Sequence, residues 1–165
     1  MLKEKDAAIE EAEDNRKSTL NRMYALTATA KLPFITDMIK KWLADPTKGK
    51  LCVFAHHKFV LNDLISLTGL SNEKGSTKQY IRIDGSTSPK NRQAHINTFQ
   101  TNPDVKIAIL GITAAGVAVT LTASSTVWFA ELFWTPALMI QAEGKLSVVD
   151  LFNFNIPKSW IAPIL

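Results

Sequence analysis

Four short segments hold residue types that can do chemistry. The first is Ala55-His56-His57-Lys58, two imidazoles and an ammonium at the end of an apolar run. Neighbouring side chains of an extended chain point to opposite sides, so the two histidines are expected to make a poor metal pair. The segment reads either as polar residues closing a strand or as a basic lip that meets phosphate. The second is Arg82-Ile83-Asp84-Gly85-Ser86-Thr87-Ser88-Pro89-Lys90, with Arg92 beyond it. Gly85 permits a tight turn, and the Ser86 and Thr87 hydroxyls with a following helix N-terminus offer donors to an anion. Lys90 and Arg92 add positive charge; the other reading is a well-capped turn before an exposed helix. The third, Gly111–Thr122, is rich in small residues and carries Thr113, Gly116, Thr120 and Thr122. Small residues let another backbone approach, and free N–H groups and hydroxyls can hold phosphate oxygens. No Gly-Lys-Ser/Thr follows it, so it is not a Walker A loop, and none occurs elsewhere. The fourth is Glu131–Pro136.

The elements between these segments are expected to position them. Lys50–Ala55, Gln79–Ile83, Val105–Leu110 and Thr126–Ala130 are short β-rich runs. Between them fall helical patterns at Phe59–Leu67 and from Pro89 through Phe99, with Ser88 as cap and Pro89 in the first helical position. An earlier helix is expected to start near Pro33, to bury Phe34, Ile35, Met38, Ile39, Trp42 and Leu43, and to end at Asp45-Pro46. Pro136–Glu143 also reads as helical. Strands alternating with crossover-length helices predict an α/β fold, a parallel sheet with helices on both faces. In such sheets ligands lie at the carboxyl ends of the strands, where all four segments begin.

The 165-residue chain is long enough to bury one substantial core, and 46% hydrophobic with 21% charged residues is ordinary for a globular protein. The single cysteine, Cys52, sits in an apolar run and reads as a core residue. Residues 107–130 carry no charge and are long enough to span a bilayer. Their hydroxyl residues, two glycines and division into two β-rich runs argue against a membrane span. The net charge of +4 is unevenly placed: Lys48 to Lys106 holds nine Lys/Arg against four Asp/Glu, whereas the first 25 residues hold five against six. Those first residues read as a solvated helical lead-in, and the basic middle suits a lobe that tracks a phosphate backbone.

Several ordered motifs resemble the second RecA-type lobe of Swi/Snf-like helicases. They are Val53-Phe54-Ala55-His56-His57-Lys58, Tyr80-Ile81-Arg82-Ile83-Asp84-Gly85-Ser86-Thr87, Arg92-Gln93, Phe99-Gln100, Ile112-Thr113-Ala114-Ala115-Gly116 and Leu121-Thr122. Phe129-Ala130-Glu131-Leu132-Phe133-Trp134-Thr135-Pro136 and Gln141-Ala142-Glu143 complete the set. The wording is similar to the annealing-helicase branch, the HARP-type fork-remodelling enzymes. The resemblance covers roughly residues 30–143. It implies a charged lead-in over 1–30, a RecA-like, P-loop-NTPase-like lobe without its own Walker A loop over 31–143, and a divergent tail over 144–165.

The resemblance also implies a function: coupling ATP hydrolysis to movement on DNA, with rewinding of unpaired strands and remodelling of stalled forks in the nucleus. ATP and magnesium would lie between two RecA lobes, held chiefly by the first lobe and not tightly by this chain alone. The implied partners are forked or branched DNA and the first RecA-like lobe of the same enzyme, with no membrane. The implied DNA contacts are His56, His57, Lys58, Ser86, Thr87, Lys90, Arg92, Thr113, Gly116, Thr120 and Thr122; Gly116 and Gln141 would lie near ATP. The family's last motif continues with Asp-Arg and then His-Arg-Ile-Gly-Gln. Here it reads Gly144-Lys145-Leu146-Ser147-Val148-Val149-Asp150, so both arginines are missing and Lys145 stands at the first one's place. Ala118 and Ala137 stand where the family usually has glycine. No catalytic set is complete. The expectation is a truncated or variant motor lobe inactive as an ATPase alone; the alternative is a non-enzymatic DNA-binding or regulatory isoform.

Overall fold

A computed structural model describes residues 2–76, 79–115, 121–132, 135 and 137. The elements run α1 (Leu2–Ala44), β1 (Leu51–Ala55), α2 (Lys58–Thr68), β2 (Gln79–Ile83), α3 (Pro89–Thr101), β3 (Val105–Gly111), α4 (Ile112–Ala115) and β4 (Thr126–Phe129). The four strands form one parallel sheet in the order β2-β3-β1-β4. The strand positions follow the β-rich runs of the sequence to within a residue. Residues 107–130, weighed above as a bilayer span, contain the end of β3, α4 and β4.

Strand geometry sends alternate side chains to opposite faces, and both faces here are covered. Cys52, Phe54, Ala108 and Leu110 pack on one side with Ile96 and Phe99 of α3 and Ile112 of α4. Leu51, Val53, Ile107 and Ile109 pack on the other with α1 and with Val60, Leu61 and Leu64 of α2. Every residue of β1 is buried, as expected of a central strand with no solvent face. Helix α2 stops at Gly69, whose φ of 71° is the left-handed conformation and whose N–H bonds the carbonyls of Ile65 and Ser66.

Helix α1 departs from the sequence reading. It does not begin near Pro33 but runs 43 residues with Pro33 inside it. Proline removes one helical donor. The buried residues Ala28, Leu32, Ile35 and Ile39 lie on both sides of Pro33 and share one face, so packing on the sheet carries the helix through it. That face also fixes the rotation: Phe34, expected in the core, is two positions from Leu32 and Thr36 and is 64% exposed.

Candidate nucleic-acid interface

Because all four strands are parallel, their carboxyl ends share one edge of the sheet. His56, Asp84, Ile112 and Ala130 each follow a strand there. From the neighbouring strands β1 and β3 the chain leaves to opposite faces, α2 packing on one and α4 on the other. Such a switch leaves a crevice between the two strand ends, the usual ligand position of an open α/β sheet. The N-termini of α2 and α3 also lie at this edge, and each presents the positive end of its dipole.

After β1, His57 caps α2 with an extended backbone, and Lys58 is the helix's exposed first residue. The two imidazoles do not diverge as an extended chain predicts. The strand ends at Ala55, and the rings stand 4.9 Å apart edge to face, with Tyr24 of α1 at 6.0 and 5.0 Å from them. Burial pulls the His56 pKa below the usual imidazole value, helped by His57 and opposed by Glu131. Burial, and then the Glu131 charge, raise the Tyr24 phenol to about 12.

Glu131 organises this corner. Its side chain is 1% exposed. One carboxylate oxygen accepts the backbone N–H groups of His56 and His57, both at 2.8 Å, and the other faces His57 Nδ1. The Ala130 N–H donates to the Phe54 carbonyl at 2.8 Å, so the ends of β1 and β4 are joined by three backbone donors. Sequence reasoning placed Glu131 in a post-strand segment but gave it no role, because its partners lie 74 and 75 residues away.

After β2, Asp84 is buried and accepts from Arg82 Nε at 2.7 Å, the Ser86 amide at 2.9 Å and the Ser86 hydroxyl at 2.5 Å. Desolvation is the largest single influence and pushes its pKa up, but the Ser86 and Arg82 donors together outweigh it and bring it down to about 2. The Thr87 hydroxyl accepts from the Asp84 amide at 3.0 Å. The Ser86 and Thr87 hydroxyls therefore shape the turn. A Cβ on Gly111 would stand 3.4 Å from Asp84 Cα, so glycine there lets the β2 and β3 ends close up. Ser88 caps α3 by accepting from the Asn91 amide. Lys90 is exposed in the first turn, while Arg92 Nε is buried with no hydrogen-bond partner among the described residues.

The edge thus brings together His56, His57, Lys58, Ser86, Thr87, Lys90, Arg92 and the exposed Thr113. Thr122 is not among them. It precedes β4 and accepts from Gln100 Nε2 at the far end of α3, on the amino edge of the sheet. Gly116, Thr120, Gln141 and Lys145, with the expected helix over Pro136–Glu143, fall outside the described residues apart from position 137, which is helical. Asp84 and Glu131, the buried carboxylates of this edge among the described residues, both already accept from internal donors.

Comparison with known proteins sets this arrangement in a family. The helicase conserved C-terminal domain profile matches residues 30–147. The chain is 39% identical over 130 residues to the "SWI/SNF-related matrix-associated actin-dependent regulator of chromatin subfamily A-like protein 1" of Xenopus tropicalis, covering 79% of the chain and 13% of that protein. It is 44% identical over 126 residues to the human "DNA annealing helicase and endonuclease ZRANB3", covering 76% of the chain and 11% of that protein. Among solved structures, the C-terminal part of the Fun30 ATPase domain superposes with a TM-score of 0.59 at 23% identity, over 74% of this chain and 37% of that one. The Sulfolobus solfataricus SWI2/SNF2 ATPase C-terminal domain gives 0.51 at 25% identity, over 65% and 44%.

Proposed function

The chain belongs to the helicase conserved C-terminal domain family, and from that premise we propose that it is the DNA-tracking lobe of an ATP-dependent annealing helicase that remodels branched DNA in the nucleus. The observation that carries this reading is the carboxyl edge, where Lys58, Lys90 and Arg92 stand at two helix N-termini beside the β1/β3 crevice. Helix N-termini and basic side chains hold phosphate oxygens without reading sequence.

On this reading forked or branched DNA and a first RecA-like lobe are the partners, and that other lobe holds ATP and magnesium. The present lobe does not complete the ATPase. Phosphoryl transfer depends on positioning and charge stabilisation, and an arginine finger contributes on the order of 10³–10⁵ in rate. Lys145 and the uncharged run Leu146–Val149 stand where the family carries arginines. A lysine is a point charge and lacks the planar two-pronged contact of a guanidinium.

The test is a reconstitution with an intact first lobe of the family and forked DNA, reading phosphate release. The expected result is salt-sensitive DNA binding without turnover, and turnover after Gly144–Asp150 is replaced by the family's arginine-bearing sequence. Turnover by the unaltered chain would overturn the assignment of the defect. DNA binding that resists salt would overturn the backbone-tracking role.

A further inference from the structure

Glu131, His57, His56 and Tyr24 come from three elements and meet beside Lys58, yet backbone tracking alone does not require a buried carboxylate there. The Glu131 carboxylate already accepts two amide N–H groups, so it acts as an acceptor toward His57 Nδ1 as well. A carboxylate facing one ring nitrogen fixes the tautomer and the ring orientation. His57 Nδ1 then carries the proton, and Nε2 is the nitrogen left for a ligand; the side chain is 23% exposed.

We propose that His57, oriented by Glu131, is a phosphate clamp that takes up a proton when DNA binds. The inference rests on the DNA-binding reading above. A neutral ring donating through Nδ1 presents only a lone pair at Nε2, which repels a phosphate oxygen. The imidazolium donates from both nitrogens, so it alone can hold the carboxylate at Nδ1 and a phosphate oxygen at Nε2 together. DNA binding and protonation are therefore linked, with the proton drawn from solvent. Among the described residues, the groups facing the ring are Glu131 from the end of β4, His56 from the end of β1 (4.9 Å between rings), Tyr24 from α1 (5.0 Å) and Phe59 from α2 (5.3 Å), with Lys58 next in the chain. Glu131 is the one acid among these described residues. The Lys58 ammonium attracts the same anionic ligand.

The experiment uses the whole chain and a labelled 20-base-pair duplex. Titration at pH 6 and pH 8, with calorimetry in two buffers of different ionisation enthalpy, reads the linked proton. Tighter binding at pH 6 is expected, by at most about tenfold per pH unit for one proton. Nitrogen-15 shifts of the free protein at pH 8 should show His57 as the Nδ1–H tautomer. His57→Asn retains a donor toward Glu131 and a good helix cap but has no Nε2. It should abolish the proton uptake while the remaining binding stays salt-sensitive. Glu131→Gln should weaken both the tautomer preference and the pH dependence. Unchanged proton uptake in His57→Asn would assign the linkage to His56 or His95 and overturn the inference. An Nε2–H tautomer in the free protein, or binding without proton uptake, would overturn it and leave DNA binding standing. Failure to bind the duplex at low salt would overturn both.

Discussion

The Lys50 Nζ atom lies 2.5 Å from the carbonyl oxygen of Phe99 and 4.9 Å from the centroid of its ring. The same ammonium donates to the carbonyls of Asn102 at 2.6 Å and Val105 at 3.0 Å. One side chain at the foot of β1 thus satisfies carbonyls at the C-terminal end of α3 and the start of β3, where the helix dipole favours a cation. Desolvation lowers the Lys50 pKa, so the contact is made against a solvation cost. Lys50→Met keeps the apolar stem and removes the charge-assisted bonds. It should lower stability by about 2 kcal/mol in urea unfolding. A loss below about 0.5 kcal/mol would mean that water replaces the ammonium freely.

Asp84 gives a second prediction, with a defined pH window. Its folded pKa of about 2 lies below the ordinary 3.8. A depressed carboxylate contributes stability that is fully present above the unfolded pKa and is lost as pH falls through the folded one. The stabilisation is about 2 kcal/mol near neutrality. Asp84→Asn should therefore be less stable than the parent at pH 6, and the gap should close between about pH 4 and pH 2. Urea midpoints at four pH values measure it; a gap that stays constant with pH would assign the loss to packing.

Cys52 should be chemically silent in the native state. It is fully buried in the central strand, and desolvation raises its thiol to about 12. Only the thiolate reacts, so alkylation by iodoacetamide at pH 8 should proceed no faster than the strand opens. Labelling followed by mass spectrometry, with and without urea, gives the rate. Rapid native labelling would show that the β1–β4 side opens locally.

Gln100 should hold the segment entering β4. Its side chain accepts the Ala123 amide at 2.8 Å and donates to the Thr122 hydroxyl at 3.2 Å. Gln100→Ala should cost about 1 kcal/mol and speed hydrogen exchange at the Ala123 amide. Gln100→Glu retains the acceptor and should restore slow exchange at Ala123. Exchange unaffected in both variants would show that Ser124, which accepts the Thr126 amide and donates to the Lys50 and Thr126 carbonyls, fixes the turn alone.

The sequence by itself determined what depends on neighbours in the chain. The runs at 51–55, 79–83 and 105–111 carry their own β-rich pattern, and Ser88-Pro89 carries its own cap, so the strands, the start of α3 and the parallel α/β class were readable. The ordered motifs also pointed to the family, because several motifs in fixed order are far more specific than any one loop. Tertiary structure decided the pairings. The strand order β2-β3-β1-β4 places Glu131 against His56 and His57, and Lys50 against Phe99 and Val105, across 49 to 75 residues of chain. It also sends Thr122 to the far edge from Thr113, although they share one segment. Pro33 makes the same point in reverse: its local preference to begin a helix yields to the apolar face that Leu32, Ile35 and Ile39 bury on the sheet. Local rules act over a few residues of chain, whereas burial and long-range hydrogen bonds act only once the sheet has set which residues meet.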